Sequence, residues 1–248
     1  MRTISLPFRR FPSLIIRHHW LADRPSAGHA AGFHSYFNCD SAQDHLGLLR
    51  LPKRRLELRL EGNSEDLLAQ CKSDTRYEIR RAMRDGIISN IESDEHFFSG
   101  YYSEFAKSKG LNDLDPFQLS AYWPFLTTTK AIFEDTVLAM HVWIIDQQAA
   151  MATMVYSCSL YRDIKENPAF SQLHGRANRF LHWDDFRRFG DIGVTRFDFG
   201  CFNDASTLEN VNAFKSSFPV NERPCSYYMS YPLWMVNQLS RFYWRRSN

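Results

Sequence analysis

RANRFLHWDDFRRFGDIGVTRFDFG occupies residues Arg176–Gly200. Ala177, Phe180, Leu181, Trp183 and Phe186 recur at helical spacing, and Gly190 marks where the helix stops. Val194–Gly200 then reads as a short strand of alternating apolar and polar residues. A helix that delivers the chain into a strand predicts a parallel step in a sheet. The strand it starts from is AAMATMVYSCSLYR, residues 149–162, which forms a hairpin with TVLAMHVWIID, residues 136–146, across Asp146-Gln147-Gln148. Between strand and helix, DIKENPAFSQLHG reads as a loop.

Working outward, DASTLENVNAFKSSFP predicts a short helix ending before Pro219, and the C-terminal segment a strand and a last helix. Upstream, Ser64 reads as an N-cap with Glu65 and Asp66 in the first turn of a single helix that stops at Gly86. IISNIES reads as a strand, DEHFFSGYYSEFAKSKG as a helix ending at Gly110, and the following stretch as a helix interrupted near Pro124. From residue 64 this order predicts an α/β fold with a mixed, mostly antiparallel sheet flanked by helices. Residues 1–63, rich in Pro and Gly breakers, read as an N-terminal extension packed on the main domain of residues 64–248. One strand stands out in the extension, where Leu56, Leu58 and Leu60 alternate with Glu57, Arg59 and Glu61 as in a half-buried strand.

Composition narrows the function. With 44% hydrophobic residues the chain can bury a core, and a net charge of +2 gives no broad nucleic-acid surface, so any anion site is local. Five cysteines without a CxxC pair predict neither a disulfide framework nor a zinc site, and no metal is expected. No apolar run reaches the roughly 18 residues of a membrane span, and the N-terminus lacks the continuous apolar stretch of a signal peptide, so the expected location is cytoplasmic.

One local anion site is legible. Lys72, Arg76, Arg80 and Arg84 share one edge of the helix read between Ser64 and Gly86. Like charges at this spacing cost roughly 0.2–0.5 kcal/mol per pair. Two readings stand: a solvated face relieved by Asp74, Glu78 and Asp85, or a cradle in which the Arg76 and Arg80 guanidinium groups grip phosphate oxygens.

RYEIRRAMRDGI, the helix–strand pair quoted first, and NAFKSSF together resemble the FemABX peptidyltransferases and their relatives in the GNAT acyltransferase superfamily, in the family's order over about residues 64–235. The sequence departs at Cys201 and Pro219, where the family usually has glycine. The resemblance implies a GNAT-type fold and acyl transfer from acyl-CoA to the amine of a phosphorylated acceptor, a nucleotide-linked amino sugar or cell-envelope precursor. It implies Lys215 as an active-site cation. Asp198, at a strand end, suits a proton acceptor, with Tyr156 and His141 as weaker acid–base candidates. Gln172, Gly175, Arg176 and Ala177 fit the superfamily's Q/R-x-x-G-x-G/A pattern, in which free N–H groups at a helix start hold the donor's pyrophosphate. A second expectation is an aminoacyl-tRNA donor, and one of another class is a non-catalytic binder of an anionic glycan precursor. DNA is not an expected partner. The C-terminal helix, mixing aromatics with Arg241, Arg245 and Arg246, suits contact with an inner-membrane surface and a lipid-linked acceptor.

Overall fold

A computed structural model describes residues 1–8, 11–160, 168–202 and 209–246, with the backbone alone at 11, 168 and 241–246. In chain order the elements are β1 (Arg2–Phe8), β2 (Phe11–Trp20), a 3-10 turn (Ala27–Ala31), β3 (His34–Cys39), β4 (Leu48–Arg59), α1 (Ser64–Gln70), α2 (Ser73–Arg84) and β5 (Ile88–Glu92). There follow α3 (Glu95–Lys109), α4 (Pro116–Tyr122), a second 3-10 turn (Trp123–Phe125), β6 (Leu126–Phe133), β7 (Thr136–Asp146), β8 (Met151–Ser159), α5 (Pro168–Gly190), β9 (Arg196–Cys201), α6 (Glu209–Lys215), β10 (Val220–Ser230) and α7 (Tyr231–Arg246).

Contacts divide the chain into two units, Met1–Arg55 with Glu222–Asn248, and Leu56–Asn221. The boundary lies within β4 rather than after residue 63, and the C-terminal segment belongs with the N-terminal one because β10 pairs with β3. In the first unit the strand order is β1-β2-β3-β10-β4. β1 and β2 are antiparallel, β2 and β3 parallel. These strands replace the irregular extension expected from the breakers. Pro7 lies on the edge strand β1 and Pro12 is the second residue of β2, positions where a missing N–H costs little.

In the second unit the order is β4-β9-β8-β7-β6-β5. The expected hairpin is β7 and β8, and the parallel step joins β8 to β9 through α5. The architecture is the expected α/β one, a mixed, mostly antiparallel sheet flanked by helices. β7 shows why its sequence lacks polar alternation. Ala139 and Trp143 pack in the layer holding α1, α2 and α5, while Met140 and Val142 pack against α3 and α4. A strand covered on both faces has no polar side to display. The same holds at β4, where Glu57 is as buried as Leu56 and Leu58 and forms an ion pair with Arg196 at 2.8 Å.

Three local readings change. The helix between residues 64 and 86 is two helices, since Cys71 is extended at ψ 152° and α2 starts afresh at Ser73. The N-cap is Asn63, not Ser64: its side chain accepts from the N–H groups of Glu65 and Asp66, and Asp66 returns the bond to the Asn63 N–H. β6, rich in threonine, was hidden in the tail of a stretch read as helical. Asn63→Ala should lower stability by about 1 kcal/mol, read as a lower urea midpoint with an unchanged denaturant slope.

Candidate active site

β8 and β9 run side by side for three residues, Met151↔Arg196, Ala152↔Phe197 and Thr153↔Asp198. Past that register β8 continues to Ser159 and β9 to Cys201. A bulge between Val142 and Trp143 in the β7 pairing turns β8 at the same level. The two parallel strands therefore part at Thr153 and Asp198.

Asp198 stands at this fork. Phe197 and Phe199 pack in the α5 layer, so Asp198 between them points to the other face, where it is fully buried. Its carboxylate accepts from the Thr153 hydroxyl at 3.3 Å and from the Gly200 N–H at 2.7 Å. Gly200 has φ +83°, a left-handed conformation that suits glycine, so the strand bends where Asp198 caps it. Arg196, at the start of β9, pairs with Glu57 at 2.8 Å.

Lys215 reaches the same bend from the end of α6. Its ammonium group donates to the Cys201 carbonyl at 3.4 Å and would lie 3.8 Å from a Cβ placed on Gly200. Burial pulls its pKa below the ordinary 10.5, and the negative field of Asp198 partly restores it. The structure thus brings together two residues 17 positions apart, a carboxylate and a lysine whose charge is contested by burial.

The other expected residues divide. Tyr156 shares the sheet face of Asp198, but it sits among Phe98 and Tyr102, and its hydroxyl makes no hydrogen bond to Asp198 or Lys215. Burial raises its pKa to about 12, which makes it a poor proton donor near neutrality. Gln172, Gly175, Arg176 and Ala177 do not lie at a helix start. α5 begins at Pro168, within the stretch read as a loop, so the Gly175 N–H belongs to the helix interior and is not offered to a ligand. Arg176 is buried against Asp85 at 3.2 Å and Ala177 is in the core. His141 is fully buried, held by Asp185 and Asn178 at 2.8 Å each.

The cationic edge is also divided. Arg76 donates to the Ala69 carbonyl at 2.7 Å and the Cys71 carbonyl at 3.3 Å, capping the C-terminus of α1. Arg80 is exposed and has no side-chain partner among the described residues. The Lys72 N–H donates to the Ser217 carbonyl, so this edge begins beside the turn that follows Lys215.

Two features went unread in the sequence. Thr153 reveals itself only through its register with Asp198. His182 lies in the α5 layer against Phe199, Phe214 and Phe218, with Nδ1 buried and unpartnered. Burial, then the fields of His141, Lys215 and Arg179, hold it well below the ordinary 6.5. A histidine and two aspartates inside an apolar helix were the available signal for a buried polar system.

No family model and no curated protein matches this sequence. The structure is similar to a crystal structure of FemX, with TM-score 0.64 and 9% identity over 96% of this chain and 85% of that one. It is similar to L-PGS from Bacillus licheniformis, with TM-score 0.52 and 13% identity over 84% of this chain and 72% of that one. It is also similar to the C-terminal domain (DUF2156) of a candidate lysylphosphatidylglycerol synthetase from Agrobacterium fabrum, with TM-score 0.52 and 12% identity over 82% and 69%. At these identities the likeness is one of fold.

Arg76→Ala should cost about 1 kcal/mol by removing the hydrogen bonds that cap the C-terminus of α1, whereas Arg80→Ala should stay within about 0.5 kcal/mol, compared by urea titration. His182 contributes stability that is complete above its unfolded pKa of 6.5 and is lost as pH falls, because only the unfolded chain takes up the proton. His182→Phe should flatten the fall in stability between pH 6 and 5 by up to about 1.4 kcal/mol per pH unit, measured as urea midpoints of both proteins.

Proposed function

We propose that this protein transfers an acyl or aminoacyl group to an amine on a phosphorylated cell-envelope precursor. The observation that carries the reading is the fork of β8 and β9 at Thr153↔Asp198, with Lys215 beside it. Strands that part leave backbone N–H and C=O groups facing the gap, where a linear donor can add its own hydrogen bonds and be held in line. The amine attacks the donor's carbonyl carbon. Asp198 accepts the amine's proton, Lys215 offsets the charge that grows on the carbonyl oxygen, and the carrier leaves with its electron pair and a proton. Holding the two reactants in this gap supplies much of the rate by itself.

Fold likeness supports the same class. The resemblance to FemABX enzymes in three sequence stretches agrees with the structural likeness to FemX. The name lysylphosphatidylglycerol synthetase, borne by another structure of this fold, describes a lysyl group joined to a phosphorylated lipid. Acyl-CoA was expected from the Gly175 pattern, but with Gly175 inside α5 that pattern no longer favours it over an aminoacyl-tRNA. The donor is an activated carbonyl on a phosphate-bearing carrier, and the two carriers are the arms of the test. Arg80, open at the surface, is the phosphate contact for the acceptor, with Arg76 held by α1 behind it. Among the described residues no helix is long and apolar enough to cross a membrane. On α7, Tyr231, Trp234, Met235 and Leu239 are exposed at helical spacing, which suits contact with a lipid surface.

The test is acyl transfer to phosphorylated amino sugars and lipids, with a panel of acyl-CoAs in one arm and charged tRNAs in the other. Lys215→Ala should lower kcat by about 10²-fold or more, and Asp198→Asn should lower it while leaving the donor KM near that of the wild type. Arg80→Ala should raise the acceptor KM, with loss of about 1.5–3 kcal/mol of binding. Wild-type turnover in Lys215→Ala would remove the lysine from the mechanism. Binding of the phosphorylated acceptor without turnover in either arm would make the protein a binder.

A further inference from the structure

Three histidines of the first unit lie together. His19 on β2, His34 on β3 and His29 in the first 3-10 turn each offer a nitrogen within 4.8 Å of the other two. The strand register explains the meeting. Antiparallel β1 puts Thr3 opposite His19, parallel β3 puts Tyr36 opposite it on the other side, and His34 lies two residues before Tyr36 on the same face. The 3-10 turn lays His29 over them, its ring stacked on His34 at 4.0 Å. Gly32 completes the fit, since a Cβ there would meet the His34 ring at 2.6 Å.

We propose that His19, His29 and His34 form a binding site for a divalent transition-metal ion of the zinc type. The second layer of contacts is already in place. The His19 Nδ1 is held by the Thr3 hydroxyl at 2.9 Å, and the His29 Nδ1 by the Tyr36 hydroxyl. In metal sites each ligating imidazole is oriented in this way through its other nitrogen. It leaves Nε2 of His19 and Nε2 of His29 for the ion. The His19 Nε2 meets the His34 Nδ1 at 2.8 Å, so the third donor is His34 Nδ1. Tetrahedral zinc, with bonds of about 2.0–2.1 Å, needs its nitrogens about 3.3 Å apart. The present spacings of 2.8 Å and at most 4.8 Å bracket that value, and a ring rotation closes the difference. The ion takes the place of the proton between His19 and His34, and the ring that carried it changes tautomer, moving that proton to its outer nitrogen, so each of the three neutral rings holds one proton and none is lost in the balance.

The donor set selects the metal. Three imidazoles suit zinc, cobalt, nickel or copper and offer nothing to magnesium or calcium, which need oxygen ligands. The fourth position falls to water, because the Tyr36 hydroxyl is already engaged by His29 and the Ser26 N–H. His29 is partly exposed and gives the route in, while His19 and His34 are buried. The positive field of Arg17 acts on this cluster and opposes the ion, which limits affinity without touching the geometry.

The full chain, without a polyhistidine tag and stripped with a chelator, is titrated with Co²⁺ and with Zn²⁺. The expected result is one equivalent bound and a tetrahedral cobalt absorption displaced by zinc. His29→Ala, at the most exposed ligand, should weaken zinc binding at least tenfold. His29→Cys, which keeps a zinc ligand, should retain it and shift the cobalt absorption. Wild-type protein that binds no zinc at equimolar concentration, or zinc binding unchanged in His29→Ala, overturns the proposal.

Discussion

The carboxylate of Asp185, fully buried in α5, accepts from the Trp143 indole N–H at 2.8 Å and bonds the His141 Nδ1 at 2.8 Å. These contacts pin the longest described helix to the strand it covers. Apolar packing alone would let α5 rotate or slide by a turn, because leucine and phenylalanine contacts are interchangeable at modest cost. A buried carboxylate is not interchangeable. Removing its partners leaves an uncompensated polar group, at about 3–5 kcal/mol for a buried charge. One rotation of α5 gives the Asp185 Oδ2 both of these partners, and that rotation sets Phe186 and Phe189 on Trp143, and His182 against Phe199.

The fork inherits its position from that anchor. β9 leaves α5 through the short turn at Gly193 and is held at its start by the Ala150 carbonyl, which accepts from the Thr195 and Arg196 N–H groups. Phe197 and Phe199 then lock into the layer that α5 has organised, so Asp198 faces the opposite side. The polarity pattern of the strand and the rigidity of the helix together aim a carboxylate into the gap. A loop could carry the same residue, but it could not hold it within the narrow tolerance that the proposed transfer requires.

The two units reach chemistry by different means. In the second, a helix packed on the sheet orients a carboxylate and a lysine that the chain places 17 residues apart. In the first, a parallel pair of strands gathers imidazoles that no short motif announces, since His19, His29 and His34 match no paired-cysteine or closely spaced histidine pattern. Local contacts make the first kind of site readable in advance. Long-range pairing makes the second invisible until the register is known.

Periodicity and capping residues were enough to place α3, the β7–β8 hairpin, α5 with its stop at Gly190, and the parallel step to β9, because each depends on neighbours close in the chain. The structure places both Asp198 and Lys215 at the bend of β9; Asp198 was legible as a strand-end carboxylate and Lys215 through the resemblance carried by NAFKSSF. The break at Cys71, the start of α5 at Pro168 and the return of β10 to β3 were not. Cys71 and Lys72 read as good helix interior, and only the hydrogen bond from the Lys72 N–H to Ser217 shows what is gained by leaving the helix there. Gly175 resembled a helix start because residues 172–177 fit the Q/R-x-x-G-x-G/A pattern after a stretch read as a loop, but residues 168–174 favour helix once α5 is packed on the sheet. Which face a residue presents, and what stands opposite it, is decided by pairings between segments far apart in sequence, and those are properties of the folded chain alone.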